Sequence, residues 1–292
     1  MKIFLLGDNG QVGSQIKKLF NKEKLNLISF NKEQLNISDY KKVAIYIKKY
    51  EPNIIINAAA YTNVEKAEVE TDLSNEINNL SVKNLSCLCN QQKILLIHLS
   101  TDFVFDGEKK DAYKEDDFTN PLNMYGKSKN DGEKNIIRIS KSFIILRTSW
   151  VFSEQKNNFV SKIKDKILNS EDIKVVNDQY GCPTSAYSIA NCILSICKQY
   201  SITEKIDPGV YHFCGDSSTS WYLFAIEILS LMKKSNILFN DVKIKAITSK
   251  NLSTSVNRPK YSVLNCDKIK SDFNISQPDW KKDLIKIVSI KL

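Results

Sequence analysis

Short apolar runs alternate with longer segments in which apolar residues recur every three or four positions, and this alternation organises the first half of the chain. Residues 3–6 form a continuous apolar run ended by Gly7, as expected of a strand buried on both faces. Val12, Ile16, Leu19 and Phe20 then fall on one face of a helix. Further apolar runs predict strands at 25–30, 54–56, 94–99 and 143–146. Between them, Val43, Ile45, Ile47 and Tyr50 mark a helix ending near Pro52, and helical spacing recurs at 77–89 and 125–139. A strand–helix repeat of this kind predicts an α/β fold, a Rossmann-type doubly wound parallel sheet.

Beyond residue 150 the pattern is less regular. Helices are predicted at 159–168, 188–200, 221–232 and 280–290, with a strand at 210–213 and a turn at Asn257-Arg258-Pro259. Neither an internal repeat nor a flexible linker separates the halves. The expected organisation is a nucleotide-binding domain over 1–150 and a smaller, mainly substrate-binding lobe over 151–292, with segments returning to the first domain.

The net charge of +9 raises the question of a nucleic-acid partner. The lysines are scattered, however, and only Arg138, Arg147 and Arg258 are arginines, so no basic, aromatic-interleaved stripe is formed. Against that background a retained arginine has weight as a planar, bidentate donor. Seven cysteines, an odd number, with only His98 and His212 beside them, make neither a disulfide framework nor a zinc set. No apolar stretch approaches a membrane span and no signal-peptide core precedes the first strand. A cytoplasmic protein without nucleic-acid or membrane partners is expected.

Chemistry enters with three segments. Gly7, Gly10 and Gly13 follow the first strand, a spacing that lets backbone N–H groups approach a pyrophosphate at a helix N-terminus. After the second strand, where an acid would hold ribose hydroxyls, stand Asn31 and Lys32, which favours NADPH or use of both NADPH and NADH. The small residues Ala58, Ala59 and Ala60, ahead of Tyr61 and Thr62, let a cofactor lie close to the third strand end. Tyr125 and Lys129 are four apart and share a helix face, the chain's only such Tyr–Lys pair. A free phenol ionises near pH ~10, so an ammonium beside it is expected to lower the tyrosine's pKa. Thr101, ending the fourth strand, supplies a hydroxyl to the same set.

These segments, together with Glu65-Lys66-Ala67-Glu68, Arg147-Thr148-Ser149-Trp150-Val151, Asn177-Asp178-Gln179-Tyr180-Gly181 and Arg258-Pro259, resemble the dTDP-4-dehydrorhamnose reductase family of extended short-chain dehydrogenase/reductases, in order over nearly the whole chain. The resemblance implies reduction of a 4-keto nucleotide sugar, the last step of dTDP-L-rhamnose synthesis, with Thr101, Tyr125 and Lys129 catalytic. It implies cofactor contacts from Gly7, Gly10, Gln11, Val12, Asn31, Asn36, Ile37, 58–62, Tyr125 and Lys129. For the dTDP-sugar it implies Thr101, Asp102 and Trp150, with Asn158, Gln179 and Arg258 as further candidates. Arg147, on a buried strand, reads as structural. The chain departs from the family at Asn36, often Asp, at Cys182, and at Gln15, where metal-dependent members carry Glu. The last argues against a magnesium-bridged dimer, leaving a monomer or homodimer without bound metal. Phe103 stands where dehydratases carry a second acid, which argues against water elimination. A ketoreductase for another deoxysugar and a non-catalytic NADP-binding regulatory subunit remain as alternatives, the latter opposed by the intact Thr101, Tyr125 and Lys129.

Overall fold

The computed structural model describes residues 1–235, 242–251 and 256–288. Its centre is a six-stranded sheet, every neighbouring pair parallel. In chain order the strands are β1 (Lys2–Leu6), β2 (Asn26–Phe30), β3 (Ile54–Asn57), β4 (Leu95–Thr101), β5 (Phe143–Thr148) and a last strand, Gly209–His212. In space the order runs from Gly209–His212 through β5, β4, β3 and β1 to β2. The chain therefore reverses direction across the sheet on either side of β1, and ligands of such sheets bind at the strand ends beside that reversal.

The apolar runs are continuous because both faces of the sheet are covered. Ile3, Leu5, Ile54, Ile56, Leu95 and Ile97 pack with α1 (Gln11–Lys22) and the helix Ala186–Thr203. Phe4, Leu6, Ile55 and Leu96 face the other way, onto α2 (Tyr40–Tyr50) and the helix Ser81–Gln92. Each wholly buried aliphatic or aromatic side chain of this kind contributes about 1.5–3 kcal/mol. A third cluster, around Phe152, Phe224 and Trp280, forms the smaller lobe.

The predicted elements and the observed ones coincide to within a few residues, with three informative differences. The helix expected at 77–89 begins earlier, as one turn over Thr71–Asn75, and passes through a π-helical turn, Glu76–Leu80, before Ser81–Gln92. A parallel pair, Ile173–Val176 with Ile244–Ile247, escaped the sequence reading because each strand has only four residues. The final helix is Trp280–Val288, and residues 289–290 of its expected span lie outside the described residues. Gly209–His212 and the helix Ala186–Thr203, both beyond residue 150, pack on the six-stranded sheet.

Candidate active site

The strand ends beside β1 form a cradle. Gly7 has φ +84°, and a Cβ there would lie 2.7–2.8 Å from backbone atoms of Ala58 and Ala59, so only glycine fits. Gly10 caps α1 without a side-chain bond, and the first turn of α1 carries no acid. Its amide dipoles are thus aimed at a space suited to an anion. A cavity of about 540 Å³ opens here, lined by Gly7, Gly10, Asn31, Lys32, Asn36, Ile37 and residues 58–62. Gln11 and Val12 do not line it: Ser153 Oγ donates to Gln11 Oε1 at 2.8 Å, and Val12 packs in the core. Asn31 is tied into its own turn, its Oδ1 accepting from Gln34 N at 2.9 Å.

One residue of this cradle was missed by sequence reasoning. Asn78, in the π-helical turn and 1% exposed, accepts from Tyr61 N at 2.9 Å. Its Nδ2 donates to Tyr61 O and to Ser128 Oγ, each at 3.0 Å. It therefore pins the loop after β3 to the helix carrying Tyr125 and Lys129. π-turns of this kind are frequent at functional sites, but nothing in a chain rich in asparagine marks this one.

Thr101, Asp102, Tyr125 and Lys129 converge where β4 meets the helix Met124–Ile139. Asn123 caps that helix, accepting from Gly126 N at 2.8 Å. Thr101 Oγ1 donates to Asp102 Oδ1 at 3.1 Å and accepts from Phe103 N at 3.2 Å. The Tyr125 phenol faces the Thr101 hydroxyl and the Asp102 carboxyl, and burial pushes it up to about 12, the Thr101 contact opposing. Asp102 is buried, and burial pushes its carboxyl up to about 7, the hydroxyls of Ser262 and Thr101 opposing. Lys129, 2% exposed, donates from Nζ to Leu99 O at 2.6 Å and lies 3.1 Å from His98 Nε2. Burial lowers it to about 8, the Glu133 carboxylate opposing. The expected lowering of the tyrosine is thus not seen: Lys129 is directed onto β4, and desolvation governs the phenol. Arg147 is structural, as its position implied, holding Glu133 through contacts of 2.7–3.1 Å. Ser100 Oγ donates to the same carboxylate.

Just beyond β5, Trp150 adopts φ +47° and stacks on Trp221, ring centroids 3.6 Å apart. A Cβ on Gly181 would fall 2.5 Å from the Trp150 indole, so glycine admits the ring. Trp221, unassigned from sequence, is what orients this platform. Gln179 donates to Ser249 Oγ at 3.0 Å. Arg258 reaches Glu65 at 3.2 Å while its buried Nε has no partner. Asn158 caps the helix Phe159–Leu168 and donates to Ser153 O and Gln155 O, so its amide is committed to its own loop. Gln15 donates to Glu154 at 3.3 Å. Cys182 is buried, and its carbonyl accepts from Ser149 Oγ at 2.7 Å; its position explains tolerance of a small side chain, though not the choice of cysteine.

Known proteins carry the same pattern. The family model described as RmlD substrate binding domain matches residues 1–291. A dTDP-4-dehydrorhamnose reductase of Aggregatibacter actinomycetemcomitans is 37% identical over 287 residues, 98% of each chain. Among solved structures, a dTDP-4-dehydrorhamnose reductase of Clostridium acetobutylicum superposes with TM-score 0.91 at 32% identity, covering 99% of both chains. One from Bacillus anthracis, in complex with NADP, has TM-score 0.89 at 30% identity, covering 98% of this chain and 99% of that one. With the fold, the glycine cradle and the Thr101–Tyr125–Lys129 cluster in place, this chain belongs to the dTDP-4-dehydrorhamnose reductase family.

Proposed function

We propose that the protein reduces the 4-keto group of dTDP-4-dehydro-β-L-rhamnose to dTDP-L-rhamnose, the last step of that sugar's synthesis. The observation that carries this reading is the meeting of Thr101, Asp102, Tyr125 and Lys129 at the end of β4, the neighbour of β3 whose following loop lines the cradle, in a chain matched over nearly its whole length by reductases of that name. The cradle fits a dinucleotide: Gly7 permits close backbone approach, and α1 presents uncapped amides. When bound, a reduced nicotinamide supplies the hydride to carbon 4. Thr101 holds the ketone oxygen, and Tyr125 donates its proton to that oxygen as the alkoxide forms. At neutral pH the phenol carries the proton that the acid role requires. Lys129 holds the nicotinamide ribose. Asp102 and Trp150 bind the sugar, and Arg258 the diphosphate, exchanging Glu65 for phosphate.

Lys32 in the cavity wall, the lack of an acid at Asn31 and the NADP complex of the Bacillus anthracis relative favour NADPH, with NADH as a second donor. Asn36, Ile37 and residues 58–62 flank the adenosine half. The nucleotide domain occupies 1–150 and the substrate lobe most of 151–292, in a cytoplasmic monomer or homodimer. With Gln15 bonded to Glu154, no magnesium bridge is proposed.

The test is oxidation of reduced nicotinamide with the keto sugar made in situ by a 4,6-dehydratase and a 3,5-epimerase. Oxidation that requires the epimerase and yields dTDP-L-rhamnose is expected. Oxidation without the epimerase would point to another deoxysugar. Binding of NADPH with no turnover on either sugar would point to a regulatory protein.

A further inference from the structure

The helix Met124–Ile139 begins against two segments from elsewhere in the chain, and the roles just assigned use neither contact. Asn123, 6% exposed, makes two bonds at that helix start. Its Oδ1 accepts from Gly126 N at 2.8 Å, and its Nδ2 donates to Asn257 O at 2.9 Å. The pair fixes the amide, because a backbone N–H only donates and a carbonyl only accepts, so turning it over would break both. Met124 N donates to Glu68 Oε1 at 2.8 Å. Glu68 stands three residues on from Glu65, the partner of Arg258, and Arg258 directly follows Asn257. These contacts close a ring, from the helix start to Asn257 and Arg258, across to Glu65, and back through Glu68.

On its other side the helix start has no room to shift. A Cβ on Gly126 would fall 2.2 Å from Phe103 O, so the first turn lies flush on the exit of β4. Residues 257–262 are themselves held along their length. A Cβ on Gly107 would fall 2.7 Å from Lys260 N. Tyr180 N donates to Lys260 O at 2.7 Å, and Ser262 N donates to Tyr180 O at 2.8 Å. Tyr180 precedes Gly181, the glycine that admits the Trp150 indole. One stretch of chain thus runs from the helix start past Arg258 to the Trp150 platform. We propose that Asn123 is a positioning residue: it joins the carbonyl beside Arg258 to the helix cap two residues ahead of Tyr125, so that anchoring the diphosphate and placing the proton donor become one event. This rests on the reductase reading, which sets a diphosphate at Arg258. When a phosphate draws Arg258 from Glu65, that corner of the ring opens, and Asn123 keeps the Arg258 segment on the helix.

Asn123→Ser separates the two bonds. Serine caps helices about as well as asparagine, so the thermal midpoint and NADPH affinity should match the parent. Its short hydroxyl, while capping, does not reach Asn257 O. Calorimetric titration should then show dTDP bound about 2–10-fold more weakly, the worth of one hydrogen bond. Arg258→Gln removes the group through which Asn123 acts, so adding Asn123→Ser to it should cost nothing further. Hydrogen exchange reads the helix end of the tie: saturating dTDP should slow the Gly126 and Lys127 amides of the parent and leave those of Asn123→Ser unchanged. Parent affinity for dTDP in Asn123→Ser, equal losses on both backgrounds, or slowing that persists in the variant would overturn the proposal. Should Asn123→Ser fail to fold, exchange in the parent and in Arg258→Gln carries the same test, with slowing required in the first and absent from the second. None of these readouts needs turnover. A parent that binds dTDP without the expected coupling sinks the proposal alone, whereas a parent that takes up no dTDP contradicts the reductase reading and the proposal with it.

Discussion

At the scale of the residue, burial sets the chemistry more than neighbouring charge does. Tyr125→Phe removes the proton donor while keeping the ring, so kcat should fall by about 10²–10⁴. Cofactor affinity and thermal midpoint should hardly move; a loss of folding would make Tyr125 a packing residue. Asp102 gives a prediction about pH. Its carboxyl, ordinarily ionising near ~3.9, is raised to about 7 in the folded protein. The folded state therefore binds more protons than the unfolded between these values, and this group's contribution to stability declines as pH rises through that window, then levels. Asp102→Asn should stabilise the protein by about 1–4 kcal/mol above pH ~7, a gain that vanishes below about pH 4, while the KM for the sugar rises. Urea midpoints across that range would check it; a variant less stable at high pH would show that the hydroxyls of Thr101 and Ser262 outweigh the burial of the carboxylate.

At the scale of the element, Asn78 and Gly181 position what others use. Asn78→Ala would strand the Tyr61 amide, at a cost of about 1–3 kcal/mol, and should raise the KM for the cofactor more than it lowers kcat. Gly181→Ala should leave cofactor binding intact and raise the KM for the sugar, because Trp150 must move. Both can be read from initial rates. The sequence was informative where one pattern had one cause: apolar runs named β1, β3, β4 and β5, the Gly7 loop named the cradle, and the Tyr125–Lys129 spacing named a shared helix face. It was silent where a residue's role depends on contacts distant in the chain. The π-turn at Asn78, the stacking of Trp221 under Trp150 and the turning of Lys129 onto His98 have no local signature. Asn158 shows the converse, a polar residue in a suggestive place whose amide is taken up by its own helix cap.

At the scale of the whole molecule, the chain returns from the lobe to complete the sheet with Gly209–His212, and Glu65 reaches across to Arg258. This pair joins the loop after β3 to the C-terminal segment. Glu65→Gln should therefore tighten binding of the dTDP-sugar, freeing Arg258 for its diphosphate, with little change in stability because an exposed pair contributes only about 0–1 kcal/mol. Calorimetric titration with dTDP would show it, and weaker binding would make Glu65 a support for Arg258 instead. The central claim is that one cluster, Thr101, Tyr125 and Lys129, binds and protonates the ketone oxygen at carbon 4 of the keto sugar, the hydride to that carbon coming from a bound reduced nicotinamide. Its most direct test is transfer of deuterium from C4-deuterated NADPH, followed by proton NMR of the isolated sugar nucleotide. Deuterium at carbon 4 of dTDP-L-rhamnose with the parent protein, and none above background with Tyr125→Phe that still binds NADPH, is the predicted result. Equal labelling by the two proteins would contradict the assignment of Tyr125, and no labelling by either would contradict the reaction itself.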